Sequence, residues 1–165
     1  MIRVLLTLFA SWVAILCSCA HYSTSATGGS GFKSVAIPLL ENKSLEPEIQ
    51  QALTDSLIQA FVESGGLRVV DEDRADVVIR GTIVEVREEP FTYGGTADQY
   101  QITVFVDLSC YDVQNKKAVW EETRLRGYGI YSATVQREEA RREGLGAAFD
   151  ILTRDIVDKT QVGGW

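Results

Sequence analysis

Three cysteines, one histidine and several acidic runs are the side chains of this 165-residue chain whose types could support chemistry. Cys17 and Cys19 stand two apart in AILCSCAHYSTS (14–25), where such a pair could be a metal-site fragment, a redox pair or a processing site. A metal or redox site built on C-x-C needs further ligands or an adjoining fold, and the only other cysteine is Cys110. The lone histidine, His21, lies among small polar residues with no orienting carboxylate, so a serine or cysteine triad has no base in the body of the chain. DEDRAD (71–76) has the acidity of a calcium loop, but Asp76 replaces the glycine at its sixth position and Thr82 stands where the bidentate glutamate belongs. GLG (144–146) falls inside a helical pattern and has Phe149 at the third glycine position of a dinucleotide motif. Neither an enzyme nor a cofactor or metal site is expected.

Location is more legible than chemistry. In MIRVLLTLFASWVAILCSC the only charge is Arg3, and a 13-residue apolar run follows from Val4 to Leu16. That length suits an export signal of ~7–15 apolar residues and falls short of the ~20 needed to span a bilayer. Leu16-Cys17-Ser18-Cys19 resembles the lipobox of bacterial lipoproteins, with Leu16 three before Cys19 and the small Ser18 just before it. The resemblance implies that residues 1–18 are removed as a signal peptide and that Cys19 is lipidated. Ala20 is not the aspartate that retains such proteins in the inner membrane, so the outer membrane is the implied destination. Residues 19–32 form the lipidated end and a tether of small polar residues, reaching roughly 20 Å by coil statistics. With processing, Cys110 is left as a lone thiol, which suits an oxidising compartment.

The folded body is expected from residue 33 to residue 165. With 45% apolar and 24% charged residues the chain is globular, and its net charge of −7 argues against a nucleic-acid partner. SVAIP (34–38) reads as a short strand and ENKS (41–44) as a loop, with Ser44 a helix cap and Pro47 in the first turn. Ile49, Leu53, Leu57 and Phe61 carry an amphipathic helix over 48–64, which Gly65-Gly66 ends. LRVV (67–70), 76–87, 100–113 and 118–131 read as strands, and 134–159 as a second amphipathic helix striped by Leu145, Ala148, Phe149, Leu152 and Ile156. QREEARRE (136–143) reads as a solvated helix end.

The order is β-α-β-β-β-β-α, an α+β, two-layer α/β sandwich with two helices packed on one face of a mixed β-sheet. Strict alternation puts Ile102, Val104, Val106, Leu108 and Cys110 toward the helices, with Cys110 buried and inert. The same alternation puts Phe105, Tyr111, Trp120 and Tyr128 on the second face, which has no second layer to cover it and is therefore a candidate partner surface.

VAIPLLENKS (35–44), the helix ending in Gly-Gly, LRVVDEDRADVVIRGTIVEV (67–86), a hairpin with VWEE (119–122) and the last helix together resemble the LptE family of outer-membrane lipopolysaccharide-assembly lipoproteins. Ala20-His21-Tyr22 departs from the Gly-Tyr start of that family. The resemblance implies a sandwich that plugs the outer-membrane barrel LptD and binds lipopolysaccharide on its way to the outer leaflet. Lipopolysaccharide is polyanionic, and in this acidic chain Arg80, Arg124 and Arg126 are the candidate cations, unless they pair with Glu122 or other acids of the same face. Two other classes stay open: a peptidoglycan-synthase activator or secretion-channel accessory, whose start is also similar to VAIPLLEN, and a hydrolase using only carboxylates.

Overall fold

The computed structural model describes residues 31–91, 99–132 and 136–162; the expected signal, Cys19 and the first part of the tether lie outside them. The elements are β1 (Ser34–Ala36), β2 (Glu41–Asn42), α1 (Ile49–Ser64), β3 (Arg68–Val69), a 3-10 turn (Glu72–Arg74), β4 (Val77–Phe91), β5 (Gln99–Asp112), β6 (Lys117–Ser132) and α2 (Arg137–Val162). They form a two-layer α+β fold, two helices on a mixed six-stranded sheet ordered β3-β1-β4-β5-β6, with β2 also paired to β4.

Topology follows from connection length. β1 pairs in parallel with β3 and β4, and a parallel neighbour needs a crossover, which α1 supplies. β4, β5 and β6 are joined by short links and pair antiparallel. The segment expected as a loop at 41–44 contributes β2, which runs parallel to Thr82–Ile83. Ser44 does not cap α1. Its hydroxyl accepts from Glu46 N–H (3.2 Å) and donates to Asn42 Oδ1 (2.7 Å), while Glu48 precedes the helix at φ 58°. At the other end Gly65 takes φ 66°, a left-handed conformation that suits glycine, and its N–H donates to Phe61 O at 3.3 Å.

The core lies between sheet and helices. Leu53, Leu57 and Phe61 of α1 and Ala148, Leu152 and Ile156 of α2 meet Ile79, Ile83, Val104, Val106 and Cys110, all essentially inaccessible. α2 sits close on β6 because Gly127 and Gly129 offer no side chain there. A Cβ on Gly127 would come within 2.0 Å of Ala148 O, and one on Gly129 within 2.0 Å of Gly144 O.

Irregularities in the pairing decide which face several residues occupy. Val106 pairs with Leu125 but Leu108 with Glu122, so Asp107 is opposed by two residues, Thr123 and Arg124. This β-bulge adds one residue to β6 and reverses its alternation. Trp120 therefore does not share a face with Arg126 and Tyr128, as unbroken alternation predicts. It is 7% exposed and packs in the helix-covered core opposite Cys110.

Candidate open-face site

The second face of the β4-β5-β6 sheet carries no helix layer among the described residues, and only its Val78 corner is covered, by Ala75 beside the 3-10 turn. Cross-strand register builds it in rows, since residues paired directly across strands project to the same side. Arg80, Ser109 and Glu121 form one row; Glu85, Phe105 and Arg126 a second; Arg87, Thr103 and Tyr128 a third.

The centre of the face is an arginine–aromatic cluster. The Arg124 guanidinium lies over the Phe105 ring at 4.6 Å from its centroid, and that of Arg87 at 5.2 Å. Both pair with Glu85, at 2.8 Å and 2.7 Å. The hydrogen bond from Arg124, then that from Arg87, hold the Glu85 carboxyl below its ordinary range. Arg124 reaches this position through the bulge. It takes φ 54°, uncommon outside glycine, and its N–H donates to Asp107 Oδ1 at 2.8 Å. Arg126 stands beside it, exposed and with no ion-pair partner among the described residues. Three cations against the carboxylates of Glu85 and Asp107 leave a local positive balance on an acidic protein. Tyr128, 48% exposed, and Ile130, 41%, extend the patch as apolar surface.

Thus Arg124, Arg126, Phe105 and Tyr128 come together as one cluster. Arg80 does not join it. It lies four residues along the sheet from the Phe105 row, about 13 Å at strand spacing, and pairs with Glu72 at 2.7 Å. There it lines a groove of about 480 Å³ whose walls include Glu41, Glu72, Asp107 and Glu121, a poor seat for a polyanion. Tyr111 sits at the far end of the face, opposite Val78, which packs with Ala36 and Ala75 in a small second cluster. The alternative of pairing with nearby acids holds for Arg124 with Glu85 and for Arg80 with Glu72, but not through Glu122, which turns to the helix side and binds Lys159 at 2.7 Å.

Arg87 was not among the sequence candidates, although the Glu85-Arg87-Glu89 alternation in β4 marks it as facing away from Val86. Asp107 carries no such local signal, since its role depends on a bulge in another strand. The charged start of α2 also differs from a solvated end. Arg141 binds Glu46 at 2.7 Å and Glu88 at 3.0 Å, and Arg137 binds Glu88 at 3.2 Å. This network faces the sheet and clasps α2 to β4 and to the loop before α1.

Chemistry is muted elsewhere. Burial, with the nearby Asp112 charge, pushes the Cys110 thiol up to about 12, so it stays protonated and unreactive. Among the described residues no group of three His, Cys, Asp or Glu could hold a metal ion, and no helix is long and apolar enough to cross a membrane.

A family model described as LptE, lipopolysaccharide-assembly, matches residues 32–160. The chain belongs to the LptE family. The match covers nearly the whole sandwich, including every residue of the arginine–aromatic cluster, and the family is one of non-enzymatic envelope lipoproteins involved in lipopolysaccharide assembly. No curated protein matches the chain. Solved structures share its fold at low identity. The hypothetical protein CT253 from Chlamydia trachomatis is similar with TM-score 0.57 and 13% identity, covering 77% of this chain and 94% of that one. PelC from Paraburkholderia phytofirmans, in a dodecameric crystal structure, gives 0.53 and 19%, covering 78% and 89%. A minor lipoprotein from Acinetobacter baumannii gives 0.53 and 16%, covering 77% and 91%.

Proposed function

We propose that this LptE-family protein is anchored in the outer membrane by lipidated Cys19, plugs the β-barrel LptD and helps pass lipopolysaccharide to the outer leaflet. The observation that carries the reading is the open sheet face, where Arg87, Arg124 and Arg126 surround Phe105 and Tyr128 lies alongside. Guanidinium groups match phosphate oxygens in charge and geometry, and the neighbouring aromatics supply apolar contact to acyl chains or to a barrel wall. Arg124 and Arg126 are the proposed lipopolysaccharide contacts, with Phe105, Tyr128 and the peripheral Tyr111 facing the partner; Arg87 beside Phe105, and not Arg80, which pairs with Glu72, completes the set of cations. Burial removes Trp120 from the partner surface.

The test is purification of the full-length, lipidated protein from outer membranes in mild detergent. A large β-barrel recovered in equal amount supports the plug; a peptidoglycan synthase in its place, or no partner, overturns it. Arg124→Glu with Arg126→Glu is expected to weaken lipopolysaccharide binding by tenfold or more, on the scale of two lost charge-assisted contacts. Unchanged binding by a folded double variant removes these residues from the site.

A further inference from the structure

The open face is electrically two-ended. At one end Glu41, Glu72 and Glu121 outnumber Arg80; at the other Arg87, Arg124 and Arg126 outnumber Glu85 and Glu89. The two ends lie along the same three strands, with Glu41 of β2 and Glu72 of the 3-10 turn flanking the acidic one and the Asp107 bulge between them. Such a surface is complementary to itself. A two-fold axis in the plane of the face, running across the strands at Asp107, lays β6 of one copy antiparallel over β6 of another. Glu121 of each copy then stands over Arg126 of the other, and Phe105 and Tyr128 fall inside the contact.

We propose that this face joins two copies of the chain into a reversible, face-to-face dimer held by the reciprocal Glu121–Arg126 contacts. An isologous dimer of this kind needs one self-complementary patch, and charge complementarity sets its register. The length of the three long strands that overlaps its copy about Asp107 offers roughly 500 Å² per copy from strand length and spacing, well below the ~800 Å² per partner of a standard stable interface. The dimer is therefore weak and concentration-dependent. The inference goes beyond the plug reading and does not need it: one face cannot meet a barrel and a second copy at once, so the dimer belongs to barrel-free protein.

The experiment is sedimentation velocity of the full-length lipidated chain in non-ionic detergent, with the detergent mass subtracted, at about 50 mM and about 500 mM salt. Dimer is expected, with dissociation at least about tenfold easier at high salt. Glu121→Arg alone and Arg126→Glu alone place like charges opposite each other twice per dimer, and each is expected to weaken association about tenfold or more. An equimolar mixture of the two variants restores opposite charges at both contacts and is expected to recover the wild-type dimer as a heterodimer. Circular dichroism of each variant checks folding. Monomer at every concentration, a dimer indifferent to both substitutions, or single-variant losses that mixing does not rescue would each overturn the proposal. If the variants leave the chain monomeric as before but reduce recovery of a large barrel, the face belongs to the barrel alone; if dimer and rescue appear without any barrel, the plug reading fails by itself.

Discussion

The two faces of the β4-β5-β6 sheet use the same strands and the same kinds of side chain to opposite ends. Beneath the helices, aliphatic residues interlock with α1 and α2, and the charged groups there are ion-paired, Glu88 with Arg137 and Arg141 and Glu122 with Lys159. On the open face, arginines stack on a half-buried aromatic and share a single glutamate. One face supplies stability through excluded water and dense packing. The other contributes little to folding and keeps charge and apolar surface available for a partner. The contrast holds even among aromatics: Trp120 is in the core while Phe105, on the neighbouring strand, serves the surface.

The contrast is broken most severely from the covered side. Phe61, fully buried at the end of α1, should cost about 3–5 kcal/mol on substitution to alanine, from lost transfer energy and the cavity left behind, read from urea unfolding midpoints. A smaller loss is expected for Gly129→Ala. The added Cβ would meet the Gly144 carbonyl, backbone that cannot swing aside, so α2 must lift from β6 at a cost of about 1–3 kcal/mol. Loss of less than about 1 kcal/mol by the same urea assay would show that the helix is not seated as described.

Acid titration sharpens the comparison further. Burial tends to raise the Glu88 carboxyl, but hydrogen bonds from Tyr131, Arg141 and Arg137 outweigh it and hold the group below its ordinary value of 4.5. A carboxyl depressed in the folded state contributes stability above its unfolded pKa and loses it as pH falls through the folded one. Between about pH 6 and pH 3, Glu88→Gln should therefore flatten the fall in stability. Glu85→Gln, on the exposed face, should change it much less because solvent screens its arginine pairs. Equal slopes for the two variants would erase the distinction between a sheltered network and a solvated one. The smallest effect belongs to Tyr128→Ser, which should leave stability within about 0.5 kcal/mol by urea unfolding while reducing binding to whatever the face meets.

Local periodicity was enough to read both helices, the three long strands and most of the core. Ile102, Val104, Val106, Leu108 and Cys110 alternate inward as expected, because a strand's side-chain period is independent of its neighbours. The short β2 and the non-capping Ser44 escaped the reading, since two residues pair as strand only when β4 lies beside them. Of the candidate cations, Arg124 and Arg126 were legible from exposure-type spacing, whereas Arg80 belongs with acids contributed by distant segments.

Resemblance of whole segments pointed to the family; what the chain's own pattern established was its element order and the inward and outward sets along regular strands. Those depend on backbone period and on apolar surface leaving water, which act over neighbouring residues. Only the assembled tertiary structure decided the face of Trp120, the reach of Arg124 and the clasp of Arg141 on Glu46, 95 residues away. A bulge arises from pairing between strands, and an ion pair from the space left between packed elements, so neither is encoded in the local period of a single segment.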